Sequence, residues 1–328
     1  MSKTKLFLSS LSLIFLILVI LKLSFKEGAV SLTFLSNVLS GKKAALFIFY
    51  QMRLPAVIAI VSSSILAVIS TVILQTLTKN DLAEPTALGF QNVALTSLAL
   101  LYLYSPALRT LAYWQILMLA TDFVLLFSIF IYSFSRGQGG QLNGNLMLLV
   151  GIGVNSFVST ILSYLKTYSP EIKDIFSLLM QGNFDHINLG YALTIASLTL
   201  LFLVFFGMSY PYFRFLSLDN ELIYGLGISV KALMFAYFVL MSFGLALGLM
   251  LGTTFPFIAF ISLYLMRSLY QVKIIPYLTS SILVTASAIL MSDLLAHYAF
   301  STVLPTNVFL GLFGALGFIF ILLKRRNY

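Results

Sequence analysis

The chain has 328 residues, of which 60% are hydrophobic and only 9% charged. A water-soluble domain carries roughly 25% charged residues, so a soluble globular fold is excluded and the bilayer must be the solvent. The net charge of +9 is no sign of nucleic acid: the basic residues are scattered singly between apolar runs, and Lys324, Arg325 and Arg326 close the last run, as in membrane proteins that fix topology against anionic lipid.

A membrane-crossing helix needs about 20 mostly apolar residues, and runs of that length recur along the chain. They predict spans over Leu6–Leu23, Leu54–Thr78, Thr86–Tyr104, Arg109–Phe134, Asn145–Lys166, Asn188–Tyr210, Lys231–Gly252, a shorter Phe255–Leu269, Pro276–Tyr298 and Thr306–Leu323. Lipid leaves backbone groups no partner outside their own segment, so such runs are helices and not barrel strands. The expectation is an all-α polytopic membrane protein of about ten transmembrane helices. No polar stretch is long enough for a separate soluble domain, so residues 1–328 read as a single transmembrane domain. Lys3 and Lys5 ahead of Leu6–Leu23 imitate a signal peptide, but the apolar run is longer than a typical h-region of about 7–15 residues, and it reads as an uncleaved first span.

With ten spans and both termini cytoplasmic, eleven of the 19 Lys and Arg fall inside and eight outside. Lys22, Lys26, Lys42, Lys43 and Arg53 are then on the outer side, so that either the orientation is inverted or those charges serve a partner.

Polar residues inside the spans form stripes. Gly151, Asn155, Ser159 and Ser163 are each four apart, and Ser64, Thr71, Gln75 and Thr78 also fall on one face. Such stripes either join helices or line a wet path. Gly244, Gly248 and Gly252, and less strongly Gly311, Gly314 and Gly317, suit close helix contact. Two acids, Asp122 and Asp293, lie within spans and must face protein or water. A structural hydrogen-bond anchor is the preferred role over a proton relay, and His297 is one turn from Asp293. Cysteine is absent, which removes disulfides and thiolate sites, and no His/Glu metal set or Ser/His/Asp set recurs at useful spacing. No metal site and no catalytic residue is therefore expected.

Three stretches carry a resemblance. The first is Arg53-Leu54-Pro55, then an apolar helix, then LQTLTKNDLAEPTALG over 74–89. The second is LSLDNELIYGLGI over 216–228. The third is spread over the last spans, with Phe257, Ile258, Arg267, Asp293, Leu304, Pro305 and Gly314. In this order and at these spacings the chain resembles the FecCD family of ABC importer permeases, the cobalamin, haem and ferric-siderophore importers. It departs from the family pattern at Asp81, Asp219, Ile223, Leu263, Tyr264 and Asn307.

The resemblance implies a type II ABC importer permease fold in a bacterial cytoplasmic membrane. It implies two permease subunits (the same chain twice, or a paralogue), two ABC ATPase subunits and an external substrate-binding protein, with lipid around the assembly. It implies Asn80 and Leu82 in a cytoplasmic gate, with Gly144 and Asn145 as its second element. Gln75, Asn155, Ser159 and Ser163 would border the translocation path. Leu218, Asp219, Leu222, Leu226 and Gly227 would form the coupling helix that docks on the ATPase, with Leu218, Leu222 and Leu226 as an apolar stripe. Arg53, Lys42 and Lys43 would meet acidic residues of the binding protein, in pairs that mainly set register and encounter rate. There is no phosphate loop of the Gly-x-x-x-x-Gly-Lys-Ser/Thr type, so the chain needs no cofactor of its own and ATP–Mg belongs to the partner ATPases. The expected cargo is a ferric siderophore, with haem or cobalamin as alternatives in the same family. An ion-coupled secondary transporter using Asp122 or Asp293 is the reading outside it.

Overall fold

The computed structural model describes residues 3–26, 29–30, 32–105, 111, 113–137, 141–168, 182, 184, 187–251, 257–267, 269–270, 274–299 and 304–326. The helices are α1 (Lys3–Ser24), α2 (Leu32–Leu39), α3 (Lys43–Ile48), α4 (Leu54–Thr78), α5 (Phe90–Tyr104), α6 (Tyr113–Phe134), α7 (Gly144–Tyr168), α8 (Leu189–Phe213), α9 (Asn220–Gly225), α10 (Val230–Met250), α11 (Ile258–Arg267), α12 (Ile274–Tyr298) and α13 (Thr306–Arg326). A two-residue antiparallel pair, β1 (Phe25–Lys26) with β2 (Ala29–Val30), follows α1. Among the described residues seven helical segments are long and apolar enough to cross a membrane, and three shorter apolar helices accompany them.

Most predicted spans coincide with these helices, and α4 has the predicted bounds. Two expectations need correction, and one stretch between predicted spans has structure of its own. Around Lys42 and Lys43, α2 and α3 occupy the chain, and a π-helical segment, Phe49–Arg53, runs α3 into α4. The third span is not one helix from Thr86, because a 3-10 turn (Pro85–Leu88) stops at Gly89, whose φ of 83° is left-handed, and α5 starts afresh at Phe90. The eighth span is the ten-residue α11. At 1.5 Å per residue it is about 15 Å long, roughly half of a ~30 Å hydrocarbon core. Phe257 before it has φ 66°, a conformation that no helix can continue through. Arg109, Gly252 and Phe255, which bounded three predicted spans, lie outside the described residues.

The chain forms two compact units, each drawn from separated stretches: residues 1–68, 180–197 and 255–328, and residues 69–179 and 198–254. In the first, α12 is the centre, packing on α1, α11 and α13. Its small residues permit this: Ser280, Ser281, Thr285 and Ser292 are buried, and Ser262 of α11 shares a 2.8 Å hydrogen bond with Thr285. Gly317 of α13 leaves no room for a side chain beside Ile261. In the second, α6 packs on α5, α7 and α10. Gly244 of α10 is pressed against Ser70 and Phe202, where an added Cβ would come within 2.4 Å of the Ser70 hydroxyl. Close contact thus holds at Gly244 and Gly317, whereas Gly248 and Gly311 have open space beside them. Ser229 caps α10 by accepting from the Ala232 N–H at 3.4 Å. Pro211 sits in the last turn of α8, where its missing N–H gives way to the 3-10 turn Arg214–Ser217.

Candidate functional site

The segment after α4 is built by its own polar side chains. Lys79 takes a left-handed φ of 48°, which ends the helix and turns the chain back. The Asn80 side-chain carbonyl accepts from the Leu82 N–H at 2.9 Å, and the Asn80 backbone carbonyl accepts from the Ala83 N–H at 3.0 Å. Such an Asx turn is what a short amide offers at a helix end. Gln75, 4% exposed, donates its amide to the Asp81 carbonyl at 2.9 Å. The polar stripe on α4 is therefore packed inside protein: Ser64, Thr71 and Thr78 are buried too, with Ser64 and Thr78 back-bonded to the carbonyls four residues earlier. Gln75 does not border open space here; it fixes the turn. Gln75→Leu is expected to cost about 0.5–1.5 kcal/mol by removing the hydrogen bond that holds the turn. A thermal midpoint unchanged in detergent would exclude this role.

The start of α7 closes against this turn. A Cβ on Gly144 would lie 2.4 Å from Thr78 Cα and 3.0 Å from the Leu77 carbonyl, so only glycine permits the approach. Asn145 beside it is exposed and lines a cavity of about 350 Å³ with Thr78, Lys79, Gln141 and Asn220. Asn80 and Leu82 belong to the turn on one side of this approach, and Gly144 and Asn145 form the other.

Higher on α7, the predicted stripe divides. Gly151 lies against Leu88, and Gly89 against the Cβ and Cα of Asn155. Asn155 accepts from Asn92 Nδ2 at 2.8 Å and donates to the carbonyls of Thr86 and Ala87 at 3.4 Å. It clamps the 3-10 turn that precedes α5. Ser159 is half-buried and Ser163 exposed. The exposed hydroxyls form a stripe one residue further round the helix: Ser156, Thr160, Ser163 and Thr167. Each donates to the carbonyl four residues back, at 2.9, 2.9, 2.8 and 3.0 Å, which satisfies the hydroxyl while leaving its oxygen free to accept. The 4–3–4 spacing was present in the sequence, but Gly151 and Asn155 drew attention to the neighbouring face.

The Leu218–Gly227 segment follows the 3-10 turn Arg214–Ser217 and contains the six-residue α9. Ile223 is fully buried and anchors it, whereas Leu218, Leu222, Tyr224 and Leu226 are 36%, 59%, 51% and 58% exposed. Gly227 ends the helix at φ 74°. Lys79 ties the segment to the turn after α4 by donating to the Leu218 carbonyl at 3.3 Å and standing 3.8 Å from the Asp219 carboxylate. Gln141 joins it to the chain ahead of α7, accepting from Asn220 at 3.2 Å and donating to the Tyr224 hydroxyl. Turn, α7 start and α9 are thus one hydrogen-bonded cluster with four apolar side chains exposed on it.

In the other unit Lys42 and Lys43 are exposed. Arg53 is not a free surface charge: it donates to the Tyr298 hydroxyl at 2.6 Å, with its guanidinium 5.9 Å from that ring's centre. Lys22, expected on the outer side at the end of the first span, is fully buried and lies 2.5 Å from the Asp293 carboxylate, also fully buried. His297 Nδ1 reaches the Asp293 carbonyl at 2.8 Å and its carboxylate at 3.4 Å, so the expected one-turn contact is present. The Asp293 carboxylate is held by Lys22 of α1. Asp122 is different: it is exposed on α6 and meets no anchor among the described residues.

The FecCD transport family model matches residues 14–324. The Vitamin B12 import system permease protein BtuC of Photorhabdus laumondii is 26% identical, over 98% of this chain and 94% of the relative. The Petrobactin import system permease protein YclO of Bacillus subtilis is 23% identical, over 86% of this chain and 93% of the relative. A metal-chelate type ABC transporter solved in an inward-facing conformation shares the fold, with a TM-score of 0.80 at 20% identity over 98% of this chain and 100% of that one. The chain belongs to the FecCD transport family, as a multi-pass membrane permease subunit of a bacterial ABC importer.

Proposed function

We propose that this permease carries a ferric siderophore across the cytoplasmic membrane, as one transmembrane domain paired with a second permease, driven by two ATPase subunits and fed by an external binding protein. The observation that carries the reading is the cluster of exposed Leu218, Leu222, Tyr224 and Leu226 around the buried Ile223. Apolar side chains at the end of a rigid hydrogen-bonded cluster fit a cleft on a partner, and their acidic neighbours Asp219 and Glu221 disfavour an anionic lipid surface. The exposed hydroxyl stripe of α7 supports a wet path, with Ser163 in it and Ser159 beside it, and Lys42 and Lys43 remain available to a binding protein. The petrobactin-system relative supports an iron chelate, and the vitamin B12 relative keeps cobalamin, and with it haem, as the alternatives. An ion-coupled carrier is disfavoured because the Asp293 carboxylate is held by Lys22.

Leu222→Asp is expected to lower affinity for the co-purified ATPase at least about tenfold, or ~1.4 kcal/mol, since it puts a charge where an apolar anchor docks. Full ATPase recovery with the variant would remove α9 as the coupling helix. The cargo is tested by ATP-driven uptake in proteoliposomes with ferric siderophore, haem and cobalamin in competition. Preferential uptake of haem or cobalamin would replace the siderophore reading.

A further inference from the structure

A groove of about 740 Å³ lies between α6, α8 and α10, in the size range of small-molecule sites. Its walls are apolar side chains such as Leu125, Ile129, Phe205 and Val239, and among the described residues Arg136 is the only charged one that lines it. Leu125, Ile129, Phe205 and Val239 are 37%, 65%, 58% and 47% exposed, so the groove is open along its length.

Two features identify the occupant. The first is depth. From Leu125 to Arg136 the lining covers eleven residues of helix rise, about 16 Å, or one leaflet of a ~30 Å hydrocarbon core. The second is the position of the charge. Arg136 follows the last turn of α6, where the chain folds back: Arg136 pairs with Leu142, and the Asn143 N–H donates to the Ser135 carbonyl at 2.8 Å. Its guanidinium stands 4.7 Å from the centre of the Tyr132 ring, a stacking that holds it at the groove's mouth. Asp122 is outside the lining, about 21 Å along the helix from Arg136, beyond the deep end.

We propose that the groove holds one acyl chain of an anionic phospholipid, with its phosphate on Arg136. A planar guanidinium recognises phosphate by paired N–H donors, and the apolar walls match a chain that stops near the bilayer midplane. Arg136 is at the same end of the unit as Gln141 and α9. The site therefore belongs to the cytoplasmic leaflet, where anionic lipid is enriched; this assignment of side rests on the proposed importer orientation.

The test is native mass spectrometry of the full chain, delipidated in detergent and titrated with dioleoyl phosphatidylglycerol or dioleoyl phosphatidylcholine. The expected result is one phosphatidylglycerol retained about fivefold more strongly than phosphatidylcholine, the equivalent of ~1 kcal/mol for one basic residue. Arg136→Gln should abolish the preference, and Val239→Trp should remove the bound lipid with Arg136 intact. Equal retention of the two lipids, undiminished preference in Arg136→Gln, or a cysteine at Ile129 that cross-links to another polypeptide would each overturn the proposal. Orientation is read separately, from labelling of a cysteine at Asn143 with an impermeant maleimide. External labelling would overturn the importer topology and the leaflet assignment while leaving the lipid readout intact.

Discussion

Asp293→Ala is expected to be the most damaging single substitution in the membrane-spanning region. It leaves the Lys22 ammonium in a fully buried position without the carboxylate 2.5 Å away. Breaking a buried pair from one side costs about 3–5 kcal/mol, because the remaining charge has lost its compensation. The pair gains its strength from matched depth. Lys22 and Asp293 each lie nineteen residues after their helices begin, in α1 and α12, which pack together. Thermal unfolding in detergent should show a large drop for Asp293→Ala and for Lys22→Ala. The double change Lys22→Met with Asp293→Leu should recover most of the loss, since apolar replacement of a buried pair is often neutral or stabilising. A double variant as unstable as the sum of the singles would mean that the charges hold other groups in place and not chiefly each other. Asp293→Asn distinguishes charge from hydrogen bonding, because its amide cannot neutralise Lys22 but its backbone carbonyl still meets His297.

Helix positions were legible wherever one long apolar run had clean ends. Thr78 ends α4 because the polar KND sequence follows it, whereas at Leu54 the helix runs on from the π-helical segment Phe49–Arg53. Partners were not legible. Hydropathy assigns Lys22 to the edge of its span, and nothing local says that a carboxylate 271 residues away lies at the same depth. The exposed face of α7 was not legible for a related reason: the Asn155 amide closes on the Thr86 and Ala87 carbonyls, and the stripe of exposed polar groups is made of hydroxyls. Arg53 shows the same limit, since nothing near it in the sequence announces its hydrogen bond to Tyr298, 245 residues away. The Leu218–Gly227 segment was readable in more detail. Leu218, Leu222 and Leu226 repeat every four residues beside acids, and a helix this short has few ways to bury them.

Gly89→Ala is expected to be the second most damaging change, and its pattern of rescue is distinctive. Gly89 has φ 83°, a region that costs an L-residue about 1–2 kcal/mol. Its added Cβ would also meet Asn155 Cβ at 2.8 Å and Cα at 2.9 Å. Overpacking of this kind costs roughly 1–3 kcal/mol, so a loss of about 2–5 kcal/mol is expected in detergent, with reduced uptake as α5 and α7 are forced apart. Asn155→Ala should not restore stability, because the Cβ and Cα that collide are still present. Gly151→Ala makes the useful contrast. Its nearest contact, at 2.5 Å, is the Cδ2 tip of Leu88, which can rotate away, and its backbone is helical. It should be milder than Gly89→Ala and partly relieved by Leu88→Ala. Equal damage at the two glycines would show that separation of the helices sets the cost, with backbone conformation adding nothing. Greater damage at Gly89 makes the left-handed break before α5 the feature that fixes α5 against α7, the helix whose other face carries the exposed hydroxyls.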